Sequence, residues 1–425
     1  MILDLFYLIY FFFCIPFLVL RGRWHDGFAF RFGCFPKSLV RDLAWSKNIW
    51  VHAVSVGEAG AAEAVIKGLR ARYPDHRIVL SVTTRAGHAF ACQKYAVLAT
   101  VIWSPLDLSG TVRRFINVIR PFIYVVVETE LWPHLFARLA EEKVPVVIIN
   151  ARISDQAYPG YCLARPVIKT MLGKVSLVCA QSALDAERFI SLGVLKDAVK
   201  VVGNVKFDVI ASLDSDGPAA RSAFGFSATD KVWVAASTHP GEEALVLDVF
   251  TALRDTFPWL RLVLVPRHPE RAAAVALLLR QKGYKPMLFT DHEARVVGSE
   301  EVLVIDEIGH LMRLYVAADI VLMGKSFGIP RRGGQNPIEP AACGKPVITG
   351  PFMENFRDVM RLFRSAEAVI EIQDAASLRK ALQEILVSPD KSNGLAARAR
   401  AVVDRNRGAA VRTVDLIADT GIRRR

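Results

Sequence analysis

At 425 residues the chain is longer than one ordinary core organises, so two domains are the expectation. With 52 % hydrophobic and 23 % charged residues it is not a disordered or low-complexity chain, and the balance marks a globular protein carrying an extra apolar segment. The formal charge of +12 suits an anionic surface or ligand as well as plain solvated faces, while six scattered cysteines without a C-x-x-C pair argue against a disulfide frame or a zinc site. No zinc finger, recognition-helix pattern or aromatic-interleaved basic motif appears, so nucleic acid is not the expected partner.

The apolar segment comes first. ILDLFYLIYFFFCIPFLVL (2–20) is nineteen residues with one charge, Asp4, long enough to cross a hydrocarbon core of about 30 Å. A signal peptide and a buried core helix compete with this reading. No basic stretch precedes the run and no small-x-small cleavage site follows it, which favours an uncleaved transmembrane anchor over residues 1–21. Arg21, Arg23 and Arg31 place the following chain on the cytoplasmic face of an inner membrane by the positive-inside rule. Residues 21–47 hold six Lys or Arg against two Asp, and the last 28 residues hold eight Arg against three Asp. Beside an anchor such flanks suit an anionic inner-membrane lipid surface, and plain solvated helix faces explain them equally well.

Apolar runs then alternate with helical stretches: IWVHAVSV (49–56), RIVLSVTT (77–84), ATVIWSP (99–105), FIYVVVE (122–128), VPVVIIN (144–150) and VSLVCAQ (175–181). Continuous β-branched runs are strands buried on both faces of a parallel sheet, so residues 22–211 form a doubly wound α/β domain. The small, polar stretch 212–230 reads as an interdomain linker. The rhythm resumes with KVWVAAST (231–238), LRLVLVPR (260–267), YKPMLFT (284–290), VLVIDE (302–307), DIVLMG (319–324) and KPVITG (345–350), a second such domain over 231–425 with a basic tail. Two domains of this kind facing a cleft make the GT-B architecture of glycosyltransferases, with ligands at the carboxyl ends of the strands.

Every polar cluster of note ends a strand. Glu58 of SVGEAGAAEAV, with Ser55 and Gly57, is expected about one residue before a helix. There the positive helix end lowers a carboxyl pKa and keeps the group ready to accept a proton, unless it is only a helix-start acid. Glu128 and Glu130 end the next long apolar run, Arg152 sits in NARIS, and Lys206 and Asp208 sit in GNVKFD. In the second half Ser237, Thr238 and His239 precede a helix whose free amides suit an anion, and Arg267 suits forked phosphate recognition. Glu339, behind a Gly-rich turn and Asn336, suits the hydroxyls of a ribose. One half offers carboxylates and the other an anion site with a ribose acid, the division a nucleotide-sugar transferase needs. Ser55, Gly57, Arg152, Ser237, Thr238 and His239 are candidates for further donor or acceptor contacts.

VSVGEAGAAEAV, ETELWP, NARIS, GNVKFD, STHPGEE, VPRHPER and GGQNPIEPAACGKPVITGP, in this order between about residues 22 and 415, together resemble the 3-deoxy-D-manno-octulosonic acid (Kdo) transferases of lipopolysaccharide synthesis. The resemblance implies an inverting, membrane-anchored GT-B enzyme that moves Kdo from CMP-Kdo to the disaccharide lipid A precursor, with no cofactor and no metal. It implies Glu58 as catalytic base and Glu128 and Lys206 as transition-state stabilisers. It also implies a CMP site of Pro266, Arg267, Ile308, Gly309, His310, Asn336, Pro337, Ile338 and Glu339. Two departures stand out. The family commonly has an acid where His310 stands, and the loop KSFGIPRRGGQNP is longer than the common form, its Arg331 and Arg332 facing either acceptor phosphate or solvent. Two rivals stay open. One is another GT-B nucleotide-sugar transferase or epimerase, and the other is a non-catalytic protein that binds anionic lipid, which leaves the strand-end carboxylates unexplained.

Overall fold

A computed structural model describes residues 4, 27–44, 46–208, 217–292, 295–328 and 333–419 of the chain. The expected anchor therefore lies outside the described residues except for Asp4, whose carboxylate accepts a hydrogen bond of 2.8 Å from the Ser109 amide. Among the described residues no helix is long and apolar enough to cross a membrane. Arg331 and Arg332 also lie outside them.

Two units emerge, Met1–Val209 with Arg407–Arg425, and Ile210–Asn406. In the first, β1 (Lys47–Ala53), β2 (His76–Val82), β3 (Thr100–Trp103), β4 (Pro121–Val127), β5 (Val146–Ala151), β6 (Leu177–Ala180) and β7 (Val199–Val201) form one sheet in the order β3-β2-β1-β4-β5-β6-β7. Every pairing in it is parallel. The apolar runs lie inside because successive side chains leave a strand on opposite faces and here both faces are covered. Trp50, Tyr124, Val126 and Ile148 fill one layer, and Ile49, Val51, Val125 and Val127 fill the other.

The second unit repeats the plan with β8 (Lys231–Thr238), β9 (Leu260–Pro266), β10 (Lys285–Leu288), β11 (Glu301–Val304), β12 (Ile320–Met323), β13 (Val347–Thr349) and β14 (Ile370–Glu371). Their order is β10-β11-β9-β8-β12-β13-β14, again all parallel. Trp233, Leu262, Leu264, Leu322 and Ile348 centre its core.

Two domain boundaries differ from the expectation. Of the supposed linker 212–230, residues 212–216 lie outside the described residues, and Gly217–Ala223 is a helix of the second unit. Arg221 anchors that helix, donating to the Ala317 carbonyl and to Asp319, each at 3.0 Å. The C-terminal segment does not stay with the second domain. The helix Ala409–Asp419 packs Ala410, Val414 and Ile417 into the first unit's core, and Gly68 allows the close approach, since a Cβ there would meet Val414 at 2.9 Å. Asp208 secures the helix start, its two oxygens accepting from the amides of Gly408 at 2.5 Å and Ala410 at 2.6 Å. Arg412 adds a 2.7 Å bond to the Val202 carbonyl.

Removing this cap by Asp208→Ala should cost about 1 kcal/mol, the usual worth of a helix N-cap. Denaturant unfolding followed by circular dichroism checks it, and an unchanged midpoint would mean that the apolar face alone holds the helix.

Candidate active site

In the first unit the strand order reverses between β1 and β4, so the connections leaving their carboxyl ends diverge and open a crevice. Glu58 comes from one connection and Glu128 and Glu130 from the other. After β1, Ser55 caps the helix Val56–Ala61, its hydroxyl accepting from the Glu58 amide at 3.5 Å. Glu58 is thus the third residue of that helix rather than the residue before it. Its Oε2 accepts from the Val54 amide at 2.6 Å and its Oε1 from Ser55 Oγ at 3.2 Å.

The expectation of a lowered Glu58 pKa is overturned. Burial pushes the carboxyl up to about 7, and the charges of Glu128 and Glu130 add to the rise against the two hydrogen bonds. The helix-end field at this short helix loses to desolvation. Glu130, half-buried in the same neighbourhood, also rises to about 7, first through burial and then through Glu128.

Glu128 stands at the end of β4 with φ 62, and its amide donates to the Ile149 carbonyl of β5 at 2.9 Å. Its carboxylate meets Lys206 Nζ at 3.0 Å. Lys206 is carried by the 3₁₀ turn Val205–Phe207, which the buried Asn150 supports by accepting from the Val205 amide at 3.2 Å. The structure therefore brings three of the expected residues into one neighbourhood: Glu58, Glu128 and Lys206. The backbone of Arg152 ties this arrangement together, since its carbonyl accepts from the Thr129 hydroxyl. Gly57 is exposed on the helix turn and Asp208 serves the terminal helix instead.

In the second unit the order reverses between β8 and β12. Ser237, buried with φ 56, and the buried Thr238 end β8, and the Thr238 hydroxyl donates to Glu243 at 2.8 Å. The Thr238 side chain thus belongs to the frame. His239 follows half-buried, its imidazole held neutral by a pKa near 4 that burial and then the charges of Lys325, His268, Arg271 and Arg267 impose. Pro266 ends β9, and the Arg267 amide bonds the Thr238 carbonyl at 3.0 Å while its side chain is exposed.

Ile308 is 83 % exposed and Gly309 has φ 109, a left-handed turn that suits glycine. His310, at the start of the helix Leu311–Ala317, lies 3.1 Å from Glu307 Oε2 and has its ring 4.3 Å from that of Phe289. His310 is therefore engaged locally. Asn336 Nδ2 donates to Glu339 at 3.0 Å and its Oδ1 accepts from the Ile338 amide at 3.1 Å, which sets Glu339 in the first turn of the helix Ile338–Ala342. Pro337 and Ile338 are buried, so any ligand contact they make is through the backbone. Among the described residues no group of three or more His, Cys, Asp or Glu side chains converges as a metal site.

Sequence reasoning assigned no role to Glu130 or to Glu242. The first was visible in ETELWP. The second lies three residues after His239 at a helix start, the spacing of a capping acid.

A model of the 3-Deoxy-D-manno-octulosonic-acid transferase (kdotransferase) family matches residues 26–209, and a glycosyl transferase-like model matches residues 285–418. The chain is 34% identical over 378 residues to a 3-deoxy-D-manno-octulosonic acid transferase of Haemophilus influenzae, covering 87% of this chain and 86% of that protein. It is 31% identical over 416 residues to one of Bordetella pertussis, covering 94% and 92%. Among solved structures, a UDP-GlcNAc 2-epimerase from Neisseria meningitidis bound to UDP-GlcNAc superposes with a TM-score of 0.60 at 16% identity, over 89% of this chain and 100% of that one. Anabaena Alr3699/HepE in complex with UDP does so with 0.57 at 17%, over 88% and 99%. At such identities the likeness extends to the fold alone, two parallel-sheet α/β domains.

The raised carboxyls have a consequence for stability. Folding favours the protonated forms of Glu58 and Glu130, so stability is lost as pH climbs from the ordinary 4.5 through about 7. Glu58→Gln and Glu130→Gln should raise the melting temperature at pH 8 and leave it unchanged near pH 4. Scanning calorimetry at both pH values checks this, and lower melting at pH 8 would mean that the anions are stabilised instead.

Proposed function

The chain belongs to the 3-deoxy-D-manno-octulosonic acid transferase family and is a glycosyltransferase that transfers Kdo, and on that footing we propose that it takes Kdo from CMP-Kdo and passes it, with inversion, to the disaccharide precursor of lipid A. Glu58 is the general base. The observation that carries this reading is the half-buried Glu58 carboxyl at a sheet's reversal point, with a pKa of about 7. A base with a pKa near the working pH combines an available anion with useful proton affinity.

The acceptor hydroxyl loses its proton to a Glu58 oxygen while its own oxygen attacks C2 of the Kdo unit, and the bond from C2 to the phosphate oxygen of CMP breaks. Positive charge grows on the sugar ring, as in other glycosyl transfers. Glu128, held at 3.0 Å by Lys206, faces that ring with its carboxylate, and Lys206 fixes its orientation. Arg267 and the backbone amides at the starts of the nearby helices stabilise the departing phosphate, so the reading gives that task to protein donors rather than to a metal or cofactor. Asn336 and Glu339 hold the ribose, and Gly309 offers its backbone to the nucleotide.

The acceptor of this reading is an acylated lipid of the inner leaflet. The apolar run 2–20 with Arg21, Arg23 and Arg31 then serves as the anchor to the cytoplasmic face of the inner membrane, turning a search in three dimensions into a lateral one.

Glu58→Gln should lower turnover by about 10²–10⁴-fold, the usual worth of general-base assistance, with CMP affinity changed less than about twofold. Mass spectrometry of lipid A precursor incubated with CMP-Kdo and enzyme reads the product, and retained turnover removes Glu58 as the base. Deleting residues 1–20 should depress activity on membrane-borne lipid more than on detergent-dispersed lipid. Equal losses in the two assays would count against an anchoring role.

A further inference from the structure

One cation at the β8–β12 reversal has no part in the proposed transfer step. Lys325 begins the turn after β12 with φ 58, a left-handed conformation in which the Cβ of a lysine crowds the chain. The position is fixed from both sides. Its amide donates to Glu242 Oε2 at 2.8 Å, the same oxygen that accepts from the His239 amide at 2.8 Å. Its carbonyl accepts from the Gly334 amide at 2.9 Å. The other oxygen of Glu242 takes the amides of Ser326 at 3.2 Å and Phe327 at 3.4 Å. This carboxylate, 3 % exposed, therefore ties together the connections after β8 and β12, and Lys325 extends the tie to the Gly-rich turn before Asn336 and Glu339. Space is short as well, since a Cβ on Gly324 would lie 2.5 Å from the Ser237 carbonyl oxygen.

A glycine would take the backbone conformation of residue 325 without cost, so a lysine there calls for a task for its side chain. Among the described residues Lys325 forms no salt bridge, and neither does Arg267. Arg271 is spent on Glu243, at 2.7 and 3.1 Å, and His268 faces Glu270 at 3.6 Å. The acids of this floor are likewise engaged, Glu242 by four amides and Glu243 by Arg271 and Thr238. What is left is positive. Beside it stands His239, whose buried Nε2 has no protein partner among the described residues.

We infer that Lys325 and His239 form an oxyanion subsite of the donor pocket, separate from the phosphate contact of Arg267. The inference rests on the CMP-Kdo reading. A charged ammonium and a neutral ring N–H recognise an oxyanion of either kind the donor carries, the carboxylate of its sugar acid or its phosphodiester.

The test uses the full chain with Lys325→Gly, which relieves the backbone and keeps the fold, and Lys325→Gln. The readouts are the KM for CMP-Kdo, the Kd for CMP by calorimetry, and the melting temperature. Loss of a charge-assisted contact should raise the KM for CMP-Kdo about tenfold or more. A rise confined to CMP-Kdo assigns the subsite to the carboxylate, and a parallel rise in the CMP Kd assigns it to the phosphate. Lys325→Arg should recover part of the loss. Unchanged values for both ligands in both variants, with melting intact, would overturn the inference. An unsubstituted chain that binds neither ligand would instead remove the donor reading, and the inference with it.

Discussion

A parallel sheet wound outward in both directions from one strand leaves a gap where the winding reverses, and the candidate site residues of this chain gather at such a gap twice, once in each unit. Adjacent strands at the reversal send their connections to opposite faces, so no helix covers the space above them. At β1 and β4 the gap collects Glu58, Glu128 and Glu130, and at β8 and β12 it collects His239 and Lys325. Residues at these strand ends hold left-handed backbones: Glu128 (φ 62), Asn150 (φ 50), Ser237 (φ 56) and Lys325 (φ 58). Each such residue costs on the order of 1–2 kcal/mol, offset where amides and carbonyls of the neighbouring strands hold it. The sites are accordingly built on stiff strand ends.

The two gaps treat buried carboxyl groups in opposite ways. Glu242 receives four backbone amides, yet burial still pushes its pKa upward, which measures how strongly desolvation acts at this depth. Glu243 is neutralised by Arg271. In the first unit Lys206 compensates Glu128, and Glu58 and Glu130 are left with less support than a buried anion needs. Such groups hold protons close to neutrality, and a carboxyl that gains and loses its proton near pH 7 is suited to proton transfer in a way that a fully solvated one is not.

Much of the architecture was legible. Continuous apolar runs located the strands to within a few residues, because burial on both faces leaves no room for polar alternation; β7 and β14, at three and two residues, were too short to show a pattern. Glu58, Glu128 and Lys206 stood out in their blocks and the strand order brings them into one neighbourhood, but the ionisation of Glu58 was misjudged. Its main neighbours, Glu128 and Glu130, lie 70 or more positions along the chain, and only the strand order makes them neighbours. The helix-end field belongs to one helix, whereas the desolvation that outweighs it comes from the whole surrounding fold. The apolar face of Ala410, Val414 and Ile417 was likewise periodic, but periodicity says that a helix has a partner and not which one. Lys325 gave no sign, since a backbone angle leaves no mark on a lysine.

The return of the helix Ala409–Asp419 to the first unit makes that unit discontinuous, with the second inserted into it. On the ribosome the first sheet emerges early but lacks the last piece of its core until nearly the whole chain has been made. The patch around Gly68, which Val414 otherwise covers, is then bare throughout synthesis of the second unit, a window in which chaperones or premature self-association have their best access. Synthesis order and completion order are thus reversed: the unit translated first is the last to close.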